Sequence, residues 1–199
     1  MNKINRFCVF CGSSLGSRPE YADAAVELGQ VLLRREIGLV YGGASVGLMG
    51  KLAETILDGN GDVIGVIPSG LAEMEVADER LSNLRVVDSM HERKALMADL
   101  ADAFIAMPGG LGTIEEIFEA ITWAQLGIHE KPCGFLNIGG YYNHIINFLE
   151  GAVEEAFIRA DHRSMVLVDT KSESLLEQFD RYKPPKIDKV NWVLSLKNM

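Results

Sequence analysis

Met107-Pro108-Gly109-Gly110-Leu111-Gly112-Thr113-Ile114-Glu115-Glu116 decides the reading of this chain. Upstream, Ala103-Phe104-Ile105-Ala106-Met107 is an apolar run with the length of a buried strand. It stops at Pro108, passes through Gly109, Gly110 and Gly112, and enters a helical pattern at Thr113. Glycines at a strand-to-helix turn let backbone N–H groups approach a ligand, and the helix start adds partial positive charge. The stretch therefore predicts an anion site, of the kind that most often holds phosphate.

Working outward, apolar runs alternate with amphipathic segments. Strands are expected at Phe7–Cys11, Leu39–Tyr41, Val63–Ile67, Leu84–Val87, Ala103–Met107, Cys133–Leu136 and Met165–Val168. Helices are expected at Glu20–Arg35, Gly47–Asp58, Glu92–Leu100, Thr113–Leu126, Tyr142–Ala156 and Ser172–Asp180. Short strands rich in Val, Ile, Leu and Phe between such helices imply right-handed βαβ crossovers and a parallel sheet. The expected class is α/β, a doubly wound, Rossmann-like parallel sheet in a single domain over residues 1–182. Residues 183–199 read as a C-terminal tail that packs on the domain or on a partner subunit.

The composition sets limits. Hydrophobic residues make up 48% of 199 and charged residues 24%, as in a globular domain. No apolar run approaches the ~18–20 residues of a membrane span, and no signal-peptide core follows Met1. A cytoplasmic location is expected. A net charge of −9 argues against nucleic-acid binding, which usually needs a basic face. Cys8, Cys11 and Cys133 cannot build a disulfide framework. Cys8 and Cys11 have an odd offset along a strand, which sends their side chains to opposite faces, so they read as buried thiols and not a metal pair.

Two further loops follow strands. Gly12-Ser13-Ser14 follows the first, and Tyr41-Gly42-Gly43-Ala44-Ser45-Val46-Gly47-Leu48-Met49-Gly50 the second. Neither phosphate motif fits the second loop. Ala44 replaces the middle glycine of a dinucleotide fingerprint, and Ser45 and Leu52 break a P-loop ending at Gly50-Lys51. Ser13 and Gly43 are nonetheless expected at the cleft, because loops after parallel strands gather at one end. Ser89-Met90-His91-Glu92-Arg93-Lys94 opens the helix after the fourth strand; taken alone it is a solvated helix start. Its Arg93 can clamp a phosphate while remaining charged.

Glu116 admits two readings. Thr113-Ile114-Glu115-Glu116 has the T-x-x-E form of a capping box, in which the glutamate only finishes its own helix. Alternatively it is a carboxylate beside a bound anion, with Glu119 supporting it from the same helix face.

Met90-His91-Glu92-Arg93-Lys94 together with Pro108 to Glu116 resembles the LOG (LONELY GUY) family of cytokinin riboside 5′-monophosphate phosphoribohydrolases, once labelled lysine decarboxylases. The signature PGGxGTxxE is present without a gap. The similarity runs from about residue 6 to 180, and the tail looks like the bacterial branch. Ala44, where many members have a third glycine, is expected to trim the nucleotide cleft with its methyl group. The resemblance implies a Rossmann-like homodimer that hydrolyses the N-glycosidic bond of AMP or N6-isopentenyl-AMP without metal or cofactor. It makes Arg93 and Glu116 the catalytic pair. Ser13, Gly43, Glu75, Met90, Lys94, Gly109, Gly110, Leu111, Gly112, Thr113 and Thr122 become substrate contacts. Two other functions remain at this point. One is a nucleotide-binding module without turnover; the other is a decarboxylase, which would need a lysine Schiff base with pyridoxal phosphate.

Overall fold

The computed structural model describes residues 3–72, 78 and 80–185. Seven strands form: β1 (Arg6–Phe10), β2 (Gly38–Tyr41), β3 (Val63–Pro68), β4 (Leu84–Val87), β5 (Ala103–Ala106), β6 (Cys133–Leu136) and β7 (Val166–Asp169). Their order is β4-β3-β2-β1-β5-β6-β7, and every neighbouring pair is parallel. All seven match the expected strands to within about a residue at each end.

Between them lie α1 (Pro19–Arg34), α2 (Gly47–Asp58), α3 (Ser69–Ala72), α4 (Met90–Leu100), α5 (Leu111–Leu126), α6 (Asn143–Glu154), α7 (Ala160–Arg163) and α8 (Ser172–Arg181). Pro19 sits at the start of α1, where its fixed φ suits the first turn. Gly127 closes α5 in the left-handed region at φ 68°, its N–H bonded to the Ala124 carbonyl. The short α3 and α7 were not expected; four residues carry too little periodicity to read.

Strand residues alternate between two apolar layers, as a pleat with period two requires. Phe7, Val9, Leu39 and Ile105 face one way, where Leu28 and Leu32 of α1, Leu52 of α2 and Phe179 of α8 cover them. Cys8, Phe10, Val40 and Phe104 face the other, against Met97 of α4, Ile117 of α5 and Leu149 of α6. Cys8 and Cys11 therefore lie in opposite layers, both buried and free, as their offset implies.

From β1 the chain winds outward to β4, then crosses to the far side of β1 with β5. In open parallel sheets such a reversal leaves a crevice beyond the strand ends. Here it falls between the loops after β1 and β5. The Pro108–Gly112 turn therefore stands at the place where this topology collects ligands.

Candidate active site

Three loops are stitched together above the reversal. The Gly12 N–H donates to the Pro108 carbonyl at 3.0 Å, and the Leu48 N–H, in the first turn of α2, donates to the Gly12 carbonyl at 3.0 Å. Gly47, at φ +62°, is packed so closely on the Ser13 backbone that a Cβ would lie 2.2 Å from its carbonyl carbon. Ser13 itself is exposed, and Gly43 holds φ +82° at the end of β2.

α5 starts at Leu111 with Gly110 as its N-cap, two residues before the expected Thr113. Gly110 has no side chain to offer the first amides, and no side-chain cap is made. A Cβ on Gly110 or Gly112 would meet nothing within 4 Å, so neither glycine is demanded by packing. Gly109 differs: a Cβ there would lie 2.1 Å from the Thr113 hydroxyl. Thr113 is buried beneath the turn and Leu111 stands 91% exposed on it. The Tyr141 hydroxyl donates to the Gly109 carbonyl at 2.6 Å. Because a trans peptide points its C=O and N–H in opposite directions, this bond turns the Gly110 N–H away from Tyr141. Tyr141 was missed in the sequence; the only signal was an aromatic pair after the Gly-Gly that follows β6.

The earlier start of α5 overturns the capping-box reading of Glu116. Thr113 occupies the third helical position, and Glu116 lies in the second turn, beyond reach of its own helix start. Its carboxylate is close enough to the carboxyl end of β1 to be felt by both buried thiols there. Burial raises the Cys8 thiol well above its ordinary pKa; the Glu116 carboxylate raises it further and the Arg93 guanidinium opposes. Cys11 is raised by burial and then by Glu116. Arg93 and Glu116 thus both lie within electrostatic range of one point in the sheet, which is how the fold brings them together.

Arg93 is 6% exposed. Its Nε donates to the Val66 carbonyl at 3.1 Å and its Nη2 to the Gly42 carbonyl at 3.2 Å, while Nη1 lies 3.8 Å from the Met90 sulfur. Backbone carbonyls of β3 and of the loop after β2 therefore fix the guanidinium plane. Met90 is 40% exposed at the start of α4.

Lys94 does not point to the glycine turn. Its ammonium donates to Glu115 at 2.6 Å and Glu119 at 3.0 Å, bridging α4 to α5. The Glu115 hydrogen bond, against partial burial and with help from Glu119, holds the lysine pKa above its ordinary value. Glu119 is accordingly a partner of Lys94. Thr122 is exposed and donates to the Phe118 carbonyl at 2.7 Å. It stands about 16 Å along α5 from Leu111 at 1.5 Å per residue, so one protomer does not bring it to the turn. Glu75 lies outside the described residues. The Ala44 methyl does not trim the cleft: Ala44 is fully buried in the layer formed with Tyr41 and Leu48, because its side chain points down from the loop.

A cavity of about 950 Å³ opens at the other end of the sheet, among Ile4, Arg35, Asp102, Pro132 and Tyr182. Ile4, Arg35, Asp102 and Pro132 precede β1, β2, β5 and β6, and Tyr182 follows α8, so the cavity faces away from the crevice.

The comparisons bear on this geometry. The family model described as "Possible lysine decarboxylase" matches residues 49–179. The chain is 50% identical over 183 residues to "Cytokinin riboside 5'-monophosphate phosphoribohydrolase LOG4" of Arabidopsis thaliana, covering 92% of this chain and 85% of that one. It belongs to the LOG family. A second LOG relative is "Probable cytokinin riboside 5'-monophosphate phosphoribohydrolase LOGL2" of Oryza sativa subsp. japonica. It is 48% identical over 98% of this chain and 81% of its own length. Among solved structures, the molybdenum cofactor binding protein of Rippkaea orientalis superposes with a TM-score of 0.68 at 21% identity, over 90% of this chain and 97% of that one. At that identity the likeness is one of fold, and it agrees with the Rossmann-like sheet of this LOG member.

Proposed function

We propose that this LOG member hydrolyses the N-glycosidic bond of adenosine 5′-monophosphate or an N6-modified form such as N6-isopentenyl-AMP, releasing the free base and ribose 5-phosphate. The relatives' names supply the substrate class. The observation that carries the reading is an uncapped, glycine-edged helix start in the same crevice as a buried arginine and a carboxylate.

The chemistry follows from these groups. Amides of the Gly110–Thr113 turn hold the 5′-phosphate at the positive end of α5. Ribosyl cleavage passes through an oxocarbenium-like sugar, and an ionised Glu116 stabilises that cation and orients water. The water oxygen bonds to C1′ while the C1′–N9 bond breaks with its electron pair on the base. The proton released by water passes to the departing base. Arg93 keeps its own proton and acts as a positioning charge for phosphate or base. The substrate contacts proposed at Ser13, Gly43 and Met90 line the same end of the sheet.

Turnover is favoured over a binding-only module, which shares the glycine loops, because the capping role for Glu116 that set it apart does not fit a helix starting at Leu111. The relatives' names argue against the decarboxylase reading, since they are phosphoribohydrolases. A homodimer in the cytoplasm belongs to the same proposal. Leu126 and Ile128, 54% and 66% exposed at the end of α5, support contact with a second copy. Thr122 would reach substrate only across such a contact, and sedimentation measures it.

Chromatography of base released from AMP, N6-isopentenyl-AMP and the matching nucleosides tests the reading. Monophosphates should react and nucleosides lag far behind; equal rates would remove the phosphate anchor. Glu116→Gln should lower kcat by roughly 10²–10³, with AMP still bound. An unchanged rate would remove its role.

A further inference from the structure

We infer that Gly42 is a positioning residue for Arg93: the missing side chain at the end of β2 is what admits the guanidinium to its seat. The inference rests on the catalytic reading of Arg93 above. A Cβ built on Gly42 would lie 2.3 Å from Arg93 Nη2, 3.5 Å from its Cζ and 3.1 Å from the Met49 sulfur. The same residue's carbonyl accepts from Nη2 at 3.2 Å. Gly42 therefore both binds the guanidinium and leaves the space it fills.

Backbone conformation does not explain this glycine. Gly43 next door holds φ +82°, where a side chain is strained, but Gly42 is not among the residues with positive φ. Alanine is conformationally allowed at 42, and the nearest obstructions are the far ends of two flexible side chains. An alanine there is accommodated by moving Arg93 and not by moving the sheet. To reach ordinary contact the guanidinium must shift by about 1 Å, a displacement that typically costs ~10² in rate when it misplaces a reacting group. The Val66 carbonyl at 3.1 Å from Nε is a fixed second point, so the shift also tilts the plane. In the sequence Gly42 reads only as the first glycine of a failed dinucleotide fingerprint, which hides this role.

The experiment compares AMP hydrolysis and thermal unfolding for the full chain and for Gly42→Ala, Arg93→Ala, Arg93→Lys and the doubles. Gly42→Ala should lower kcat about 10²-fold with KM changed less than about threefold. Adding Arg93→Lys to Gly42→Ala should cost little more, because the two changes act on one group. In the Arg93→Ala background, Gly42→Ala should lower the melting temperature less than in the parent, since the nearer of the two obstructing groups is gone. Gly42→Ala with turnover near the parent's, beside an inactive Arg93→Ala, would overturn the inference and leave the reading of Arg93 standing. Full turnover in Arg93→Ala would overturn that reading and the inference with it. An equal melting-temperature loss in both backgrounds would place the strain elsewhere and also overturn the inference, even if the single variant folds poorly.

Discussion

Two of the helices that begin at the strand ends around this crevice, α4 and α5, are finished in opposite ways. α4 is closed by its own side chains: the Ser89 hydroxyl accepts the Glu92 N–H at 3.1 Å, and the Glu92 carboxylate accepts the Asp88 N–H at 2.9 Å. α5 begins on Gly110 with no side-chain cap and open space beside Gly110 and Gly112. A capped start satisfies its amides internally and stabilises the domain; an uncapped start keeps amides and dipole for something else. Lack of a side-chain cap is shared with α1, α2, α6 and α8, so what sets α5 apart is a glycine N-cap edged by open space, and that supports the proposed binding at its start.

The largest effect should come from closing the open helix. Gly110→Asp puts an N-capping carboxylate on an extended residue at φ −93°, outside the left-handed region. Such caps stabilise a helix by roughly 0.5–2 kcal/mol, so the melting temperature should rise. The same carboxylate would occupy the amides and repel a phosphate, raising KM for AMP at least about tenfold, or roughly 1.4 kcal/mol. Calorimetry and initial rates on one preparation read both. A higher melting temperature with unchanged KM would mean that the phosphate sits elsewhere.

Opening the closed helix is the converse. Ser89→Ala should destabilise the protein by about 1 kcal/mol, a fall of about 2–4 °C for a domain of this size. KM for AMP should stay within about twofold, because no ligand amide is touched. A large KM change would show that the first amides of α4, and not only the Met90 side chain, take part in binding.

How much of this was legible in the sequence follows from which residues act locally. The inner strands β1, β2, β3, β5 and β6 were readable because both faces of the sheet are covered there, so each is an apolar run, while the edge strands β4 and β7 are only partly buried and read as short Val- and Leu-rich stretches. The glycine turn was readable too. The start of α5 was not: Thr113 looked like the capping hydroxyl, while the true N-cap, Gly110, carries no side chain to recognise. The actual capping pair, Ser89 with Glu92, is present in the sequence as S-x-x-E. Arg93 could be named from its motif, but its seat on Gly42 and Val66 depends on β2 and β3 being neighbours. Lys94 is a nucleotide contact only by the family resemblance of its motif. Adjacent helix residues point about 100° apart, and this one turns to α5.

The smallest expected effect concerns that link between the two helices. Lys94 is 13% exposed at its side chain, while Glu115 is 55% exposed, so water screens much of the pairing. Lys94→Met should cost about 1 kcal/mol or less and leave KM for AMP unchanged, whereas a direct nucleotide contact would raise KM. The pH dependence has a definite sign. The folded lysine has a pKa raised above the ordinary 10.5, chiefly by its hydrogen bond to Glu115. The bridge therefore contributes fully below that value and is lost as pH rises through the folded pKa. The melting-temperature gap between the parent and Lys94→Met should stay constant from pH 7 to about 9.5 and close above about 10.5. A gap that persists at high pH would assign the stabilisation to packing of the lysine stem between α4 and α5, and the two helix starts would then be joined by apolar contact instead of charge.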